Sequence, residues 1–217
     1  SGNYAIFLSY NTKGVTIENV KVRGGWDGFD INYSTDITVT GCDFRTGDDC
    51  IAGVGLQNVK LLNSRFNSSM QGVRIGGKDV VIRDCKFWGP GEYEHRKQKT
   101  TLSRPAIWPP DWKRGKPNIP NDNWLIENCT FSDIGVVYKY SKGSEGAGVR
   151  TVTFNNITAT APEESSAPAI AISGTGLKEA RLDINGGEFS VGSNSPTIID
   201  IQDFDHLELH DVKLRNS

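Results

Sequence analysis

The stretch ITVTGCDFRTGDDCIAGVGLQNVKLLNSRF (residues 37–66) decides the fold. It holds two copies of one pattern, ITVTGCDF from Ile37 and VKLLNSRF from Val59, 22 residues apart. Both read apolar-x-apolar-x-(Asn/Asp/Gly)-x-x-apolar. Working outward, the same pattern appears as VTIENVKV from Val15 and VVIRDCKF from Val80, then as WLIENCTF from Trp124 and VTFNNITA from Val152. LDINGGEF from Leu182 and LELHDVKL from Leu207 complete the series. The steps are 22, 22, 21, 44, 28, 30 and 25 residues. A period near 22 that tolerates insertions marks a stacked solenoid. Alternation of apolar and polar residues inside each copy means strand, so each copy belongs to one coil of β-strands.

Two strands per coil are legible. The repeat is the second; the first lies upstream, at 5–9, 28–31, 50–53, 72–75, 136–140, 169–173 and 197–201. The fifth repeat position holds Asn19, Gly41, Asn63, Asp84, Asn128, Asn156, Gly186 and Asp211. These residue types tolerate the left-handed backbone of a sharp turn, and stacked asparagines can hydrogen-bond from coil to coil. Successive coils pair in parallel, and crossover handedness is strongly biased. The expectation is an all-β fold, a single-stranded right-handed parallel β-helix of about eight readable coils, forming one domain over 1–217. The chain opens in mid-pattern at YAIFLSY, so we expect N-terminal coils or a cap to be lacking.

Composition narrows the function classes. Basic and acidic residues nearly balance, 24 against 26, and the pI of 5.9 gives no reason to expect nucleic acid. No run approaches the roughly 18 apolar residues of a membrane span. An extracellular or periplasmic location is expected, with any signal peptide outside this chain; the oligomeric state is left open. Cys42, Cys85 and Cys129 share the sixth repeat position, as small buried residues stacking along a core do, and with Cys50 they form no CxxC pair. Free thiols are expected. Of the Asn-x-Ser/Thr sequons at Asn67, Asn128 and Asn156, the last two are ladder positions and read as structural.

The 44-residue step equals two periods, and residues 88–122 do not read as an ordinary coil. This insertion carries Trp88, Trp108, Trp112, Tyr93, His95 and seven basic residues, among them Arg104. A long loop in a compact domain is usually functional, and disorder rarely spends three tryptophans. Aromatic faces beside positive charge suit an anionic sugar polymer.

Asp27 and Asp48 lie 21 residues apart, and Asp49 follows. The repeat therefore predicts three carboxylates on one face of adjacent coils. Crowded carboxylates push one another's pKa values apart, which separates an acid from a base. Glycosidic cleavage needs such a pair.

The segments GGWDGFDI (24–31) and TGDDCIAG (46–53) resemble family 28 glycoside hydrolases, the polygalacturonase family, which adopt the parallel β-helix. The resemblance implies that Asp48 is the general acid, that Asp27 and Asp49 activate the attacking water, and that the anomeric carbon is inverted. It implies no organic cofactor and no metal. Gln71 stands where the family has a supporting histidine, and His95 is the residue that could fold back in its place. The family's Arg-x-Lys grip on the substrate carboxylate has two partial counterparts, Arg74 in GVRIGG and Lys139 in VVYKYS, flanked by Tyr138 and Tyr140. Substrate contacts are therefore expected from Gln71, Arg74, Lys139, Tyr138, His95, Trp108, Trp112 and Arg104. The expected partner is an acidic, pectin-type polysaccharide or oligosaccharide. Two alternatives stay open: a non-catalytic carbohydrate-binding β-helix whose aspartates hold Ca²⁺, and a polysaccharide lyase using Lys139 and Arg74.

Overall fold

The computed structural model describes residues 4–8, 10–103, 105–110, 119–142, 148–174 and 177–216. The described residues contain strands and no α-helix, and all strand pairings among them are parallel. The chain winds as a parallel β-solenoid of about eight turns.

Each full turn has three strands, one more than the sequence pattern suggests. The coil after the first shows the plan: Asp27–Ile31, then Thr35–Thr40, then Asp43–Thr46. The eight-residue repeat is itself two strands hinged at its fifth position. All eight hinge residues have positive φ, from 47° at Asn63 to 69° at Gly186. One left-handed residue turns the chain sharply without a loop, so an unbroken pattern conceals a corner. The corners are tied along the axis. Asn156 Nδ2 donates to Asn128 Oδ1 at 3.0 Å, and Asn128 Nδ2 donates to Asp84 Oδ1 at 3.3 Å. A second ladder runs along the corner before the repeat, with Asn58 Nδ2 on Asp36 Oδ1 (2.7 Å) and Asn123 Nδ2 on Asp79 Oδ1 (2.8 Å).

Register turns sequence spacing into columns. Val15, Ile37, Val59, Val80, Trp124, Val152 and Leu182 occupy one inward-facing column, which Leu207 continues, exposed, on the last coil. The eighth repeat position forms another, in which Phe44, Phe66, Phe87 and Phe131 stack with ring centroids 5.9, 4.9 and 4.7 Å apart. Fully burying one such side chain contributes roughly 1.5–3 kcal/mol, so these columns carry most of the stability. Cys42, Cys50, Cys85 and Cys129 are buried and free. In the repeat column each thiol donates to a nearby carbonyl, as Cys129 Sγ does to Glu127 O at 3.2 Å.

The 44-residue step is two periods long but advances the solenoid by one rung. Asp122–Glu127 pairs directly with Val73–Arg83. Between them Ile107 bridges Val73 on one side and Tyr138 on the other, so it is a one-residue first strand. The insertion is therefore one coil, with a first excursion before Ile107; residues 111–118, after it, lie outside the described residues.

Candidate active site

The outer corner between third and first strands brings the aspartates together. Phe29 pairs with Ile51, and Ile51 with Val73. This register stacks Asp27, Asp49 and Gln71, each 22 residues from the next, and sets Asp48 one position aside. The 21-residue alignment of Asp27 with Asp48 is thus corrected by one residue. Backbone bonds fix the column: Asp49 N–H donates to Asp27 Oδ1, and Gln71 N–H to Asp49 Oδ1, both at 3.3 Å. Asp48 is pinned through its carbonyl, which accepts from Thr46 Oγ1 (2.7 Å) and Ser68 Oγ (2.5 Å). Each of the three carboxylates offers an oxygen within 4.8 Å of the others.

The two glycines of these motifs are steric requirements. A Cβ on Gly28 would lie 2.6 Å from Cys50 O, and one on Gly47 would lie 2.7 Å from Glu94 O and 2.9 Å from Gly25 O. Real Cβ atoms do not approach backbone that closely. Asp-Gly and Gly-Asp here allow close stacking of rungs and of a loop over them.

That loop is the first excursion of the insertion. It leaves Lys86–Trp88 through the cis Gly89–Pro90 bond and runs back over earlier coils. Its root is held by Asn67, whose Nδ2 donates to Trp88 O and Pro90 O at 2.9 Å and whose Oδ1 accepts from Glu92 N–H at 2.7 Å. Asn67 is buried, so this sequon is also a structural residue. Arg45 clamps Glu92 with contacts of 3.0 and 2.9 Å, and Ser69 Oγ donates to Tyr93 O at 2.5 Å. Further along, His95 reaches Asp48, with Nε2 3.3 Å from Oδ2. Gln98 N–H donates to His95 Nδ1 at 2.9 Å. Nδ1 is therefore an acceptor, which places the proton of the neutral ring on Nε2, aimed at Asp48. Asn67→Ala would strand three backbone groups and cost about 2–3 kcal/mol, read as a lower midpoint in urea unfolding. It should also release His95 from Asp48.

Electrostatics raise two of the three carboxyls. Burial, and secondarily the charge of Asp48, raise Asp27 from 3.8 to about 7. Burial also holds Asp49 well above the ordinary carboxylate value, against the pull of Arg74. Arg74 Nε makes an ion pair with Asp49 Oδ2. Arg74 follows Phe7, Asp30 and Ala52 on the outward face of the first-strand sheet. The exposed Lys139 and the half-buried Trp108 continue that face.

The sequence-based site is thus partly assembled. Asp27, Asp48, Asp49, Gln71, Arg74 and His95 converge, while Trp108 and Lys139 lie along the same face beyond Arg74. Tyr138 does not belong. It faces inward, fully buried, edge-on to Trp124 and Phe154, because alternation about the exposed Lys139 puts its neighbours in the core. Arg104 and Trp112 lie outside the described residues. Sequence reasoning missed Trp26, which sits edge-on to His95 (5.7 Å) under the Lys97 ammonium (5.0 Å). Its position next to Asp27 was the available signal.

Comparison with known proteins bears on the fold. Residues 1–89 match the model of a family described as the right handed beta helix region. No curated protein matches the chain. Among solved structures, the catalytic domain of Agl-KA is similar, with a TM-score of 0.60 at 13% identity. The alignment covers 99% of this chain and 45% of that one, so the chain spans less than half the length of its structural relative. With the register above, these matches make the chain a right-handed parallel β-helix.

Proposed function

We propose that the protein is a carbohydrate-active enzyme that hydrolyses glycosidic bonds of an acidic, pectin-type polysaccharide or oligosaccharide. The observation that carries this reading is the cluster itself. Three carboxyls lie within 4.8 Å of one another, one held protonated up to about pH 7 and another facing the Nε2 of a histidine. An acid that keeps its proton at neutral pH beside a carboxylate that accepts one is the equipment of glycoside hydrolysis. The fold it shares with the Agl-KA catalytic domain supports the reading, as does the resemblance at TGDDCIAG.

The roles differ from those the resemblance implies. Asp27 is the better proton donor, since burial raises it to about 7 and it borders an open cleft. Asp48 is the more exposed carboxyl, 17% against 1% for Asp49, and its Oδ2 faces the His95 Nε2 at 3.3 Å. It is placed to activate water. Asp49 is buried against Arg74 and positions the other two. A cation site is disfavoured because Arg74 and His95 already face two of the three carboxyls. The inverting outcome comes from the resemblance. Nearest oxygens within 4.8 Å lie below the roughly 6.5–9.5 Å between carboxyls that leaves room for an attacking water.

The test is reducing-end release from a panel of pectic and other acidic glycans, comparing wild type with Asp48→Asn. Ultraviolet absorbance of unsaturated products is followed in the same wells, and the first-formed anomer by NMR. Hydrolysis lost in the variant, without unsaturated product, is the expected result. Unsaturated product would make the protein a lyase. Binding without turnover on any glycan would make it a binding module. A retained anomer would overturn inversion.

A further inference from the structure

A cleft of about 460 Å³ opens at the other edge of the first-strand sheet, where the chain turns into the second strand. That volume falls within the roughly 300–1,000 Å³ typical of small-ligand sites. Strand Asp27–Ile31 runs between this corner and the aspartates, so up to roughly 20 Å of extended chain separates Tyr33 from Asp27. Tyr10 and Tyr33 both have positive φ, 23° and 48°, and are the aromatic residues that do so among those described. Asparagine and aspartate hold most such positions in this chain. A bulky side chain on left-handed backbone is an outlier, and outliers of this kind cluster at ligand sites.

The corner is stacked along the axis. Asn11 N–H donates to Tyr33 O at 2.9 Å, and Tyr33 N–H donates to Val54 O at 2.8 Å. The two rings lie 5.3 Å apart and 7° from parallel. Gly55 continues the column, and a Cβ there would lie 2.4 Å from the Tyr33 ring. Glycine therefore lets that ring lie over the next rung. Tyr33 and Ile119, the latter from the far end of the insertion, give the cleft its apolar walls, and Thr35 and Gln57 add a hydroxyl and an amide. Among the described residues no carboxylate or arginine lines it. Its one cation, Lys13, has Nζ 3.8 Å from Asp36 Oδ2.

We infer that this cleft binds a neutral sugar residue, at a site separate from the aspartates. The sugar class rests on the carbohydrate-active reading, and the site adds a second, uncharged ligand to it. Apolar walls take the C–H faces of a pyranose, while neutral hydroxyl and amide groups meet its hydroxyls. A uronate would find neither a guanidinium fork nor an uncompensated cation here. A glycan carrying both acidic and uncharged residues would then be held at both edges of one sheet.

Nitrogen-15 NMR titration with neutral trisaccharides of β-1,4-galactose, α-1,4-glucose and β-1,4-glucose, and with a uronic-acid trisaccharide, tests the inference without requiring turnover. At least one neutral probe should shift the Gly55 and Gln57 amide signals saturably, and added salt should leave its affinity unchanged. The double variant Tyr33→Asn/Gln57→Ala should bind that probe roughly tenfold or more weakly. Asparagine tolerates the left-handed corner, and an unchanged melting temperature verifies that the variant is folded. The inference is overturned if no neutral probe moves those signals, if the double variant binds as wild type does, or if the uronic-acid probe binds this cleft more tightly. Reducing-end release from acidic glycans is scored separately. Release without neutral-sugar binding leaves the hydrolase reading standing alone, and neutral-sugar binding without release leaves the cleft standing alone.

Discussion

Asp27→Asn is expected to lower turnover by about 10²–10⁴-fold, the range for loss of a general acid or base, and at the same time to stabilise the protein above neutral pH. The two effects share one cause. Folding raises the Asp27 carboxyl from 3.8 to about 7, so the native state binds this proton more tightly than the unfolded chain does. The resulting stability is fully present below pH 3.8 and is lost as pH rises through about 7. About three pH units at 1.36 kcal/mol each give roughly 4 kcal/mol as the upper bound on what ionised Asp27 costs at alkaline pH. Asparagine carries no charge to desolvate, and its carbonyl can still accept from Asp49 N–H. Urea unfolding of both proteins at pH 4 and pH 8.5 should show little difference at the first and a gain of about 2–4 kcal/mol for the variant at the second. In the wild type, kcat/KM should fall as pH rises through about 7. That alkaline limb should vanish from the residual activity of Asp27→Asn and persist in Asp48→Asn. The opposite pattern would return the acid role to Asp48.

The second large effect is expected at Arg74. Its Nε lies on Asp49 Oδ2, the side chains being 18% and 1% exposed. Arg74→Leu removes the partner and leaves a carboxylate with no water to solvate it. Breaking a buried pair from one side costs about 3–5 kcal/mol. The sign with pH follows from Asp49, which burial already holds well above 3.8. Without Arg74 its carboxyl rises further, so the loss should be largest at alkaline pH and should shrink as acid protonates Asp49. Asp49→Asn in the same chain should recover most of the lost stability, because the pair is then removed from both sides. A loss that neither shrinks in acid nor recovers in the double variant would mean that Arg74 stabilises through its stem and not through its charge.

Local chemistry made much of the fold legible. The eight-residue pattern, the turn-forming residues at its fifth position and the cysteines at its sixth each report an environment set by near neighbours: in or out, extended or left-handed, buried or not. Those features repeat because every rung imposes the same conditions. The third strand of each coil stayed hidden because a single left-handed Asn, Asp or Gly turns the corner without interrupting the alternation. The 44-residue step could be read only as an insertion, because length does not reveal whether a segment climbs the axis or lies across it. One bridged residue, Ile107, decides that.

For the site, sequence alone put Asp27, Asp48 and Asp49 on one face of adjacent coils, since one period along the chain is one rung in space. Only the tertiary structure decided which of them stack. A register of 22 in place of 21 moves Asp48 out of the column and Asp49 into it. Tertiary structure also decided that Tyr138 points into the core, that Arg74 is taken by Asp49, and that His95, 47 residues after Asp48, lies against it. Periodicity predicts contacts between residues that are equivalent in the repeat. A loop folding back across several rungs obeys no period, and its path is set by where Asn67, Ser69 and Arg45 can bind it.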